Sequence, residues 1–96
     1  MRVEFATPAS SEFLAAIDFY ESKDARVGLE FIEDVEQAVR LIAEFPSIGS
    51  PAPSGTRRAH LRRFPYALVY QETSELIMVV AVQHHRRKPR FWEDRL

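Results

Sequence analysis

RRFPYALVYQETSELIMVVAVQHH, residues 62–85, decides the fold. Thr73-Ser74 divides it into two runs rich in β-branched and aromatic residues, the pattern of a hairpin with a tight connection. The runs predict strands over 65–72 and 75–84, and a third strand over 56–63 precedes them. Side chains on a strand alternate between faces. Leu76, Met78, Val80 and Val82 should therefore point one way, and Ile77, Val79 and Ala81 the other. Tyr66, Leu68 and Tyr70 likewise oppose Ala67 and Val69. Both faces of these strands are apolar, so each needs a cover.

The chain before the hairpin supplies one cover. In RVEFA, Val3 and Phe5 alternate with Arg2 and Glu4, which predicts a short first strand. Thr7 reads as an N-cap with Pro8 at the first helical position, where a missing N–H costs nothing. Phe13, Leu14, Ile17 and Tyr20 recur at helical spacing up to an end near Ser22-Lys23. Asp24 then caps a second helix whose apolar stripe is Leu29, Ile32, Val35, Val39 and Ile42, widened by Phe31 and Ala38. Gly28, early in that helix, admits close packing of the first helix. FPSIGSPAPSG, residues 45–55, has three prolines and two glycines and reads as a loop.

The element order is β-α-α-β-β-β, which predicts an α+β fold with a helical hairpin on one face of a small, mainly antiparallel sheet. Two helices cover one face and not both. We expect Phe91 and Trp92 to fold back onto the second face, and a partner polypeptide to take the rest. Each ~100 Å² of apolar area so covered contributes ~2.5 kcal/mol.

Composition narrows the function. The 96 residues predict a single domain, 1–96, with a modest core. There is no cysteine, hence no disulfide and no thiolate nucleophile or metal ligand. No apolar run spans a bilayer and no signal peptide is evident, so we expect a cytoplasmic protein without membrane partners. The charge is divided. Residues 1–56 hold four Lys/Arg against ten Asp/Glu, and residues 57–96 hold nine against four. That gives −6 and +5, a sign asymmetry that the net charge of −1 conceals.

The basic half ends in HHRRKPRFWEDRL, residues 84–96. Imidazoles titrate near ~6.5, which suits acid–base work. On a regular strand, however, His84 and His85 point to opposite faces, and His60 approaches only if the strand register allows. Neither the His84-His85 spacing nor a nearby carboxylate supports a metal site, and no cofactor motif is present. Arg57, Arg58, Arg62, Arg63, Arg86, Arg87, Lys88 and Arg90 have three readings. They form a solvated face that pairs with the acidic helices, they meet a protein target, or they grip nucleic-acid phosphates, with Phe91 or Trp92 stacking on a base.

The order of elements, with RRFPYALVY (62–70), MVVAVQHHRRKP (78–89), Tyr20 near the end of the first helix and FP..G after the second, resembles the RelE/ParE superfamily of bacterial type II toxins over essentially the whole chain. The resemblance implies a toxin neutralised by a cognate antitoxin that wraps it. It implies one of two targets: the ribosome, where RelE-like members cut mRNA, or DNA gyrase, which ParE-like members poison.

RelE-like ribonucleases resemble this chain around PYALVY but carry arginine where Ala67 stands. They also carry arginine near His85, and tyrosine about where Phe91 stands. His84 falls where ParE-like sequences often carry histidine. The resemblance therefore favours the ParE-like branch, a gyrase inhibitor acting by binding. The alternatives are an mRNA endonuclease using Arg63, His84, His85 and Arg87, and an inactive antitoxin-binding relative. Target-binding candidates are Arg62, Arg63, His84, Arg86, Arg87, Phe91 and Trp92. Antitoxin-binding candidates are Leu14, Ile17, Tyr20, Phe31, Tyr70 and Met78.

Overall fold

Asp24 separates the two helices by capping the second. Its carboxylate accepts the Arg26 N–H at 2.8 Å, while its own N–H closes the first helix on the Tyr20 carbonyl. The computed structural model describes residues 1–96, and in it the helices are α1 (Thr7–Lys23) and α2 (Ala25–Glu44). The strands are β1 (Arg2–Phe5), β2 (Ser50–Ala52), β3 (Thr56–His60), β4 (Tyr66–Glu72) and β5 (Leu76–His84). They form one sheet in the order β1-β5-β4-β3-β2. β1 lies parallel to β5 and every other pair is antiparallel. No helix is long and apolar enough to cross a membrane.

The α+β fold and the hairpin on one sheet face are as expected, with local corrections. Ala6, not Thr7, is the N-cap of α1. It is still extended, and its N–H continues the β1–β5 ladder to the Val79 carbonyl at 2.9 Å. Part of the 45–55 loop is strand β2. Its three residues carry Pro51, which an edge strand tolerates because no ladder N–H is demanded there. β3 stops at His60 rather than at 63. The buried Asp34 carboxylate on α2 takes the N–H groups of Arg63 and Phe64, at 2.9 and 3.0 Å, and so draws that segment off the sheet.

The buried face of α2 is Phe31, Asp34, Val35, Ala38 and Ile42, whereas Leu29 is 60% exposed. Gly28 does admit α1, since a Cβ there would stand 3.1 Å from the Glu21 Cβ. Phe31 sits under an aromatic cluster with Phe13, Tyr20, Phe64 and Tyr66, at centroid distances of 5.1–5.9 Å. Tyr70 is equally enclosed. Its hydroxyl donates to the Pro46 carbonyl at 2.6 Å and accepts the Gly49 N–H at 3.0 Å. Both residues have no exposed surface, so neither Phe31 nor Tyr70 is available to an antitoxin as expected from the sequence.

Strict alternation fails in β5. A register shift lies opposite Val69/Tyr70, where Val69 pairs with Ala81 but Tyr70 pairs with Val79. This β-bulge reverses the alternation. Val82 joins Ile77 and Val79 in the core under the helices, while Ala81 joins Val80 and Met78 on the second face. Trp92 closes that second face. It packs with Val69, Val80 and Ala81, has no exposed surface, and brings Phe91 alongside. The fold-back of the tail is thus present, and no wide bare sheet face remains for a partner. The large exposed apolar side chains include Leu14, Phe19 and Leu29 on the helical hairpin instead.

Candidate functional site

β3 places Arg58 and His60 on the second sheet face, because Arg57 and Ala59 alternate with them toward the helices. The register sets His60 opposite Ala67, and Ala67 opposite Gln83. At the end of β5 the chain turns, and the His85 N–H bonds the Pro65 carbonyl at 2.9 Å. That turn carries the His85 ring back over the row. His60 Nδ1 and His85 Nε2 lie 3.3 Å apart. The result is a cleft of about 270 Å³ with Ala67 in its lining, bordered by Arg58, His60, Gln83, His85, Arg87 and Pro89.

Both guanidinium groups of the cleft are held without a carboxylate. Arg58 donates to Gln83 Oε1 and to the Pro89 carbonyl, each at 3.3 Å. The Gln83 amide in turn donates to the carbonyls of Lys88 and Pro89 at 3.4 and 3.5 Å. Arg87 lies over the Phe91 ring, 3.9 Å from its centroid, a cation–π contact. The four ion pairs of the chain are Arg2–Glu4, Arg63–Glu30, Arg90–Glu93 and Arg95–Glu12. Of the basic residues in the C-terminal half, Arg57, Arg58, Arg62, Arg86, Arg87 and Lys88 thus have no acidic partner. Pairing with the acidic helices accounts only for Arg63 and Arg95.

His84 points the other way. It stands edge-on to Tyr66, 4.9 Å between centroids, and its Nδ1 accepts the Arg86 N–H at 3.0 Å, which leaves the proton of the neutral ring on Nε2. Burial, with Tyr20 adjacent, pushes the Tyr66 phenol up to about 12.

The structure therefore separates the residues that the sequence grouped. His85 and Arg87 share the cleft, and Phe91 supports Arg87. Arg62 and Arg86 are exposed outside it. Arg63 is turned to Glu30 on α2 and His84 to the opposite face, so the quartet Arg63, His84, His85 and Arg87 does not converge. Trp92 is buried and offers no face to a base. Arg58, His60 and Gln83 complete the site. The signal for the first two was the odd-even alternation of TRRAH, which sets Arg58 and His60 on one side, but choosing which side required the sheet register. Chemically the cleft is rich in hydrogen-bond donors and holds an imidazole pair able to share a proton. No carboxylate borders it.

A family model described as "ParE toxin of type II toxin-antitoxin system, parDE" matches residues 3–89. A solved structure described as "Chromosomal ParDE TA system from P. aeruginosa" superposes with a TM-score of 0.74 at 19% identity, covering 88% of this chain and 95% of that one. At that identity it speaks for the fold. No curated protein sequence matches the chain.

Proposed function

This chain belongs to the ParE toxin family of type II toxin–antitoxin systems, and from that premise we propose that it arrests growth by binding DNA gyrase and is neutralised by a cognate antitoxin. The carrying observation is the extent of the family match, which begins in β1 and runs through the turn that builds the cleft. The geometry is compatible with action by binding. Arg58 and Arg87 bring two cations without acidic partners to the cleft, while the quartet Arg63, His84, His85 and Arg87 does not converge on one site. Ala67, at the arginine position of RelE-like nucleases, lines the cleft without a functional group.

For the antitoxin, the outer surface of the helical hairpin is the fitting surface. Leu14, Phe19 and Leu29 are 60%, 54% and 60% exposed, and Ile17 and Tyr20 are half-buried near them in sequence. Met78 contributes at most a small apolar patch on the other side of the sheet.

Purified chain added to a gyrase supercoiling reaction should inhibit it, and the antitoxin encoded beside it should restore activity. Growth arrest on expression without any effect on supercoiling rejects gyrase as the target. Codon-positioned mRNA cleavage in a translating extract would replace this reading with the nuclease one, and harmless overexpression would leave an inactive antitoxin-binding relative.

A further inference from the structure

We propose that the cleft between Arg58, Arg87 and the His60–His85 pair grips a backbone phosphate of a nucleic acid. Arg58 and Arg87 are oriented by neutral groups, a glutamine, a backbone carbonyl and an aromatic ring, so their charge is uncompensated. A planar guanidinium held this way is suited to phosphate oxygens. The imidazole pair adds one more N–H, on the ring whose facing nitrogen accepts. At 3.3 Å one ring nitrogen donates and the other accepts, so only one proton lies between them. Arg58 on β3, Arg87 in the turn after β5, and neutral Gln83 and Ala67 are the groups facing the pair. No carboxylate opposes the anion. A cation is disfavoured by the two guanidiniums, and no third metal-ligating side chain joins the pair.

The chemistry of the rim selects a polymer over a free phosphate. Arg86 and Lys88, in the turn that carries Arg87, are exposed and have no acidic partner, so cationic contacts continue past a single phosphate. Ala67, by its small side chain, leaves the room that an oxyanion occupies. The inference concerns the cleft alone and stands whether or not gyrase is the target.

Imidazole Cε1–H resonances of the full chain, followed by NMR during titration with inorganic phosphate and with a short DNA duplex, test it. His60 and His85 should shift saturably with both probes while His84 stays in place. The duplex should bind at least tenfold tighter than phosphate and weaken with salt. Arg58→Gln and His85→Gln should each weaken both probes about tenfold, whereas Arg26→Gln, equal in charge change but at the start of α2, should not. His60 and His85 unmoved by either probe, or equal losses in Arg58→Gln and Arg26→Gln, would overturn the site. A duplex no tighter than phosphate would overturn its assignment to nucleic acid.

Discussion

Glu12 and Arg95 lie 83 positions apart in the chain and close a two-bonded ion pair, at 2.8 and 3.1 Å, where β1 stops and β5 continues. The pair also stands in for the missing strand. Glu12 Oε1 accepts the Val82 N–H at 3.0 Å, and Arg95 Nη1 donates to the Val80 carbonyl at 2.9 Å, so the backbone around the bulge stays satisfied. The hydrogen bonds that Arg95 donates to Glu12, with the charges of Glu12 and Asp94, raise the Arg95 pKa above its ordinary value against a smaller opposing effect of burial.

Breaking this pair should cost more than a surface salt bridge does, because both side chains are mostly buried, 22% and 17% exposed. Arg95→Met leaves the Glu12 charge and the Val80 carbonyl without a partner, and we expect a loss of about 2–3 kcal/mol. Urea denaturation of the variant against the parent chain measures it. A change within ~0.5 kcal/mol, the range of ordinary surface substitutions, would show that the pair is incidental.

Trp92 is the cover of the second sheet face, and Trp92→Ala should destabilise by about 3–5 kcal/mol. The single tryptophan also reports on itself. In the native chain its fluorescence should be blue-shifted and resistant to quenching by iodide, and it should move red on unfolding. Emission typical of a hydrated indole in the native state would mean that the tail is not seated.

Gly49 and Tyr70 explain why FP..G follows the second helix. A Cβ at Gly49 would lie 2.8 Å from the Tyr70 hydroxyl oxygen and 2.9 Å from its ring. Gly49→Ala should therefore destabilise by about 1–3 kcal/mol through overpacking. Tyr70→Phe should cost a similar amount, since it frees the Pro46 carbonyl and the Gly49 N–H. The two losses should sum to less than additive in the double variant, because Tyr70→Phe removes one of the clashing atoms. Thermal denaturation of the four chains tests the cycle, and strict additivity contradicts the contact.

Tyr66 gives the protein an alkaline limit. Its folded pKa is raised from 10.0 to about 12, so the folded state keeps the phenolic proton longer than the unfolded one. That contribution to stability is fully present below pH 10 and is lost as pH rises toward 12. Ring-carbon NMR should show Tyr66 ionising later than an exposed tyrosine, and Tyr66→Phe should flatten the alkaline fall in stability. An ordinary titration of Tyr66 would remove this account.

The hairpin of β4 and β5, the Asp24 cap and the close approach at Gly28 were legible because each depends on neighbours a few residues away or on one residue's own backbone freedom. The β5 faces beyond the bulge were not. LIMVVAV is apolar throughout and carries no polar mark of a shift between faces, and only the pairing of Val69 with Ala81 and of Tyr70 with Val79 reveals the extra residue. α2 was legible as a helix, and Phe31, Val35, Ala38 and Ile42 of its apolar stripe are buried, but Leu29 is exposed and Asp34 is buried in addition. Asp34 faces inward because the 61–65 segment lies on that side and gives its carboxylate the Arg63 and Phe64 N–H groups, a choice that apolar periodicity alone does not make.

The cleft divides along the same line. His85 and Arg87 stood out in a conspicuous basic run. Arg58 and His60 became their partners only when β3 took its place beside β4, and Arg63 and His84 left the group when Glu30 and Tyr66 claimed them. Local periodicity and the chemistry of caps and turns determined the α+β order of elements, because those forces act over one or two turns of chain. Register, the bulge and the 83-residue contact of Glu12 with Arg95 fixed which side chains share a surface. Those pairings minimise unpaired backbone groups and exposed apolar area across the whole molecule, a condition that no short segment can evaluate by itself.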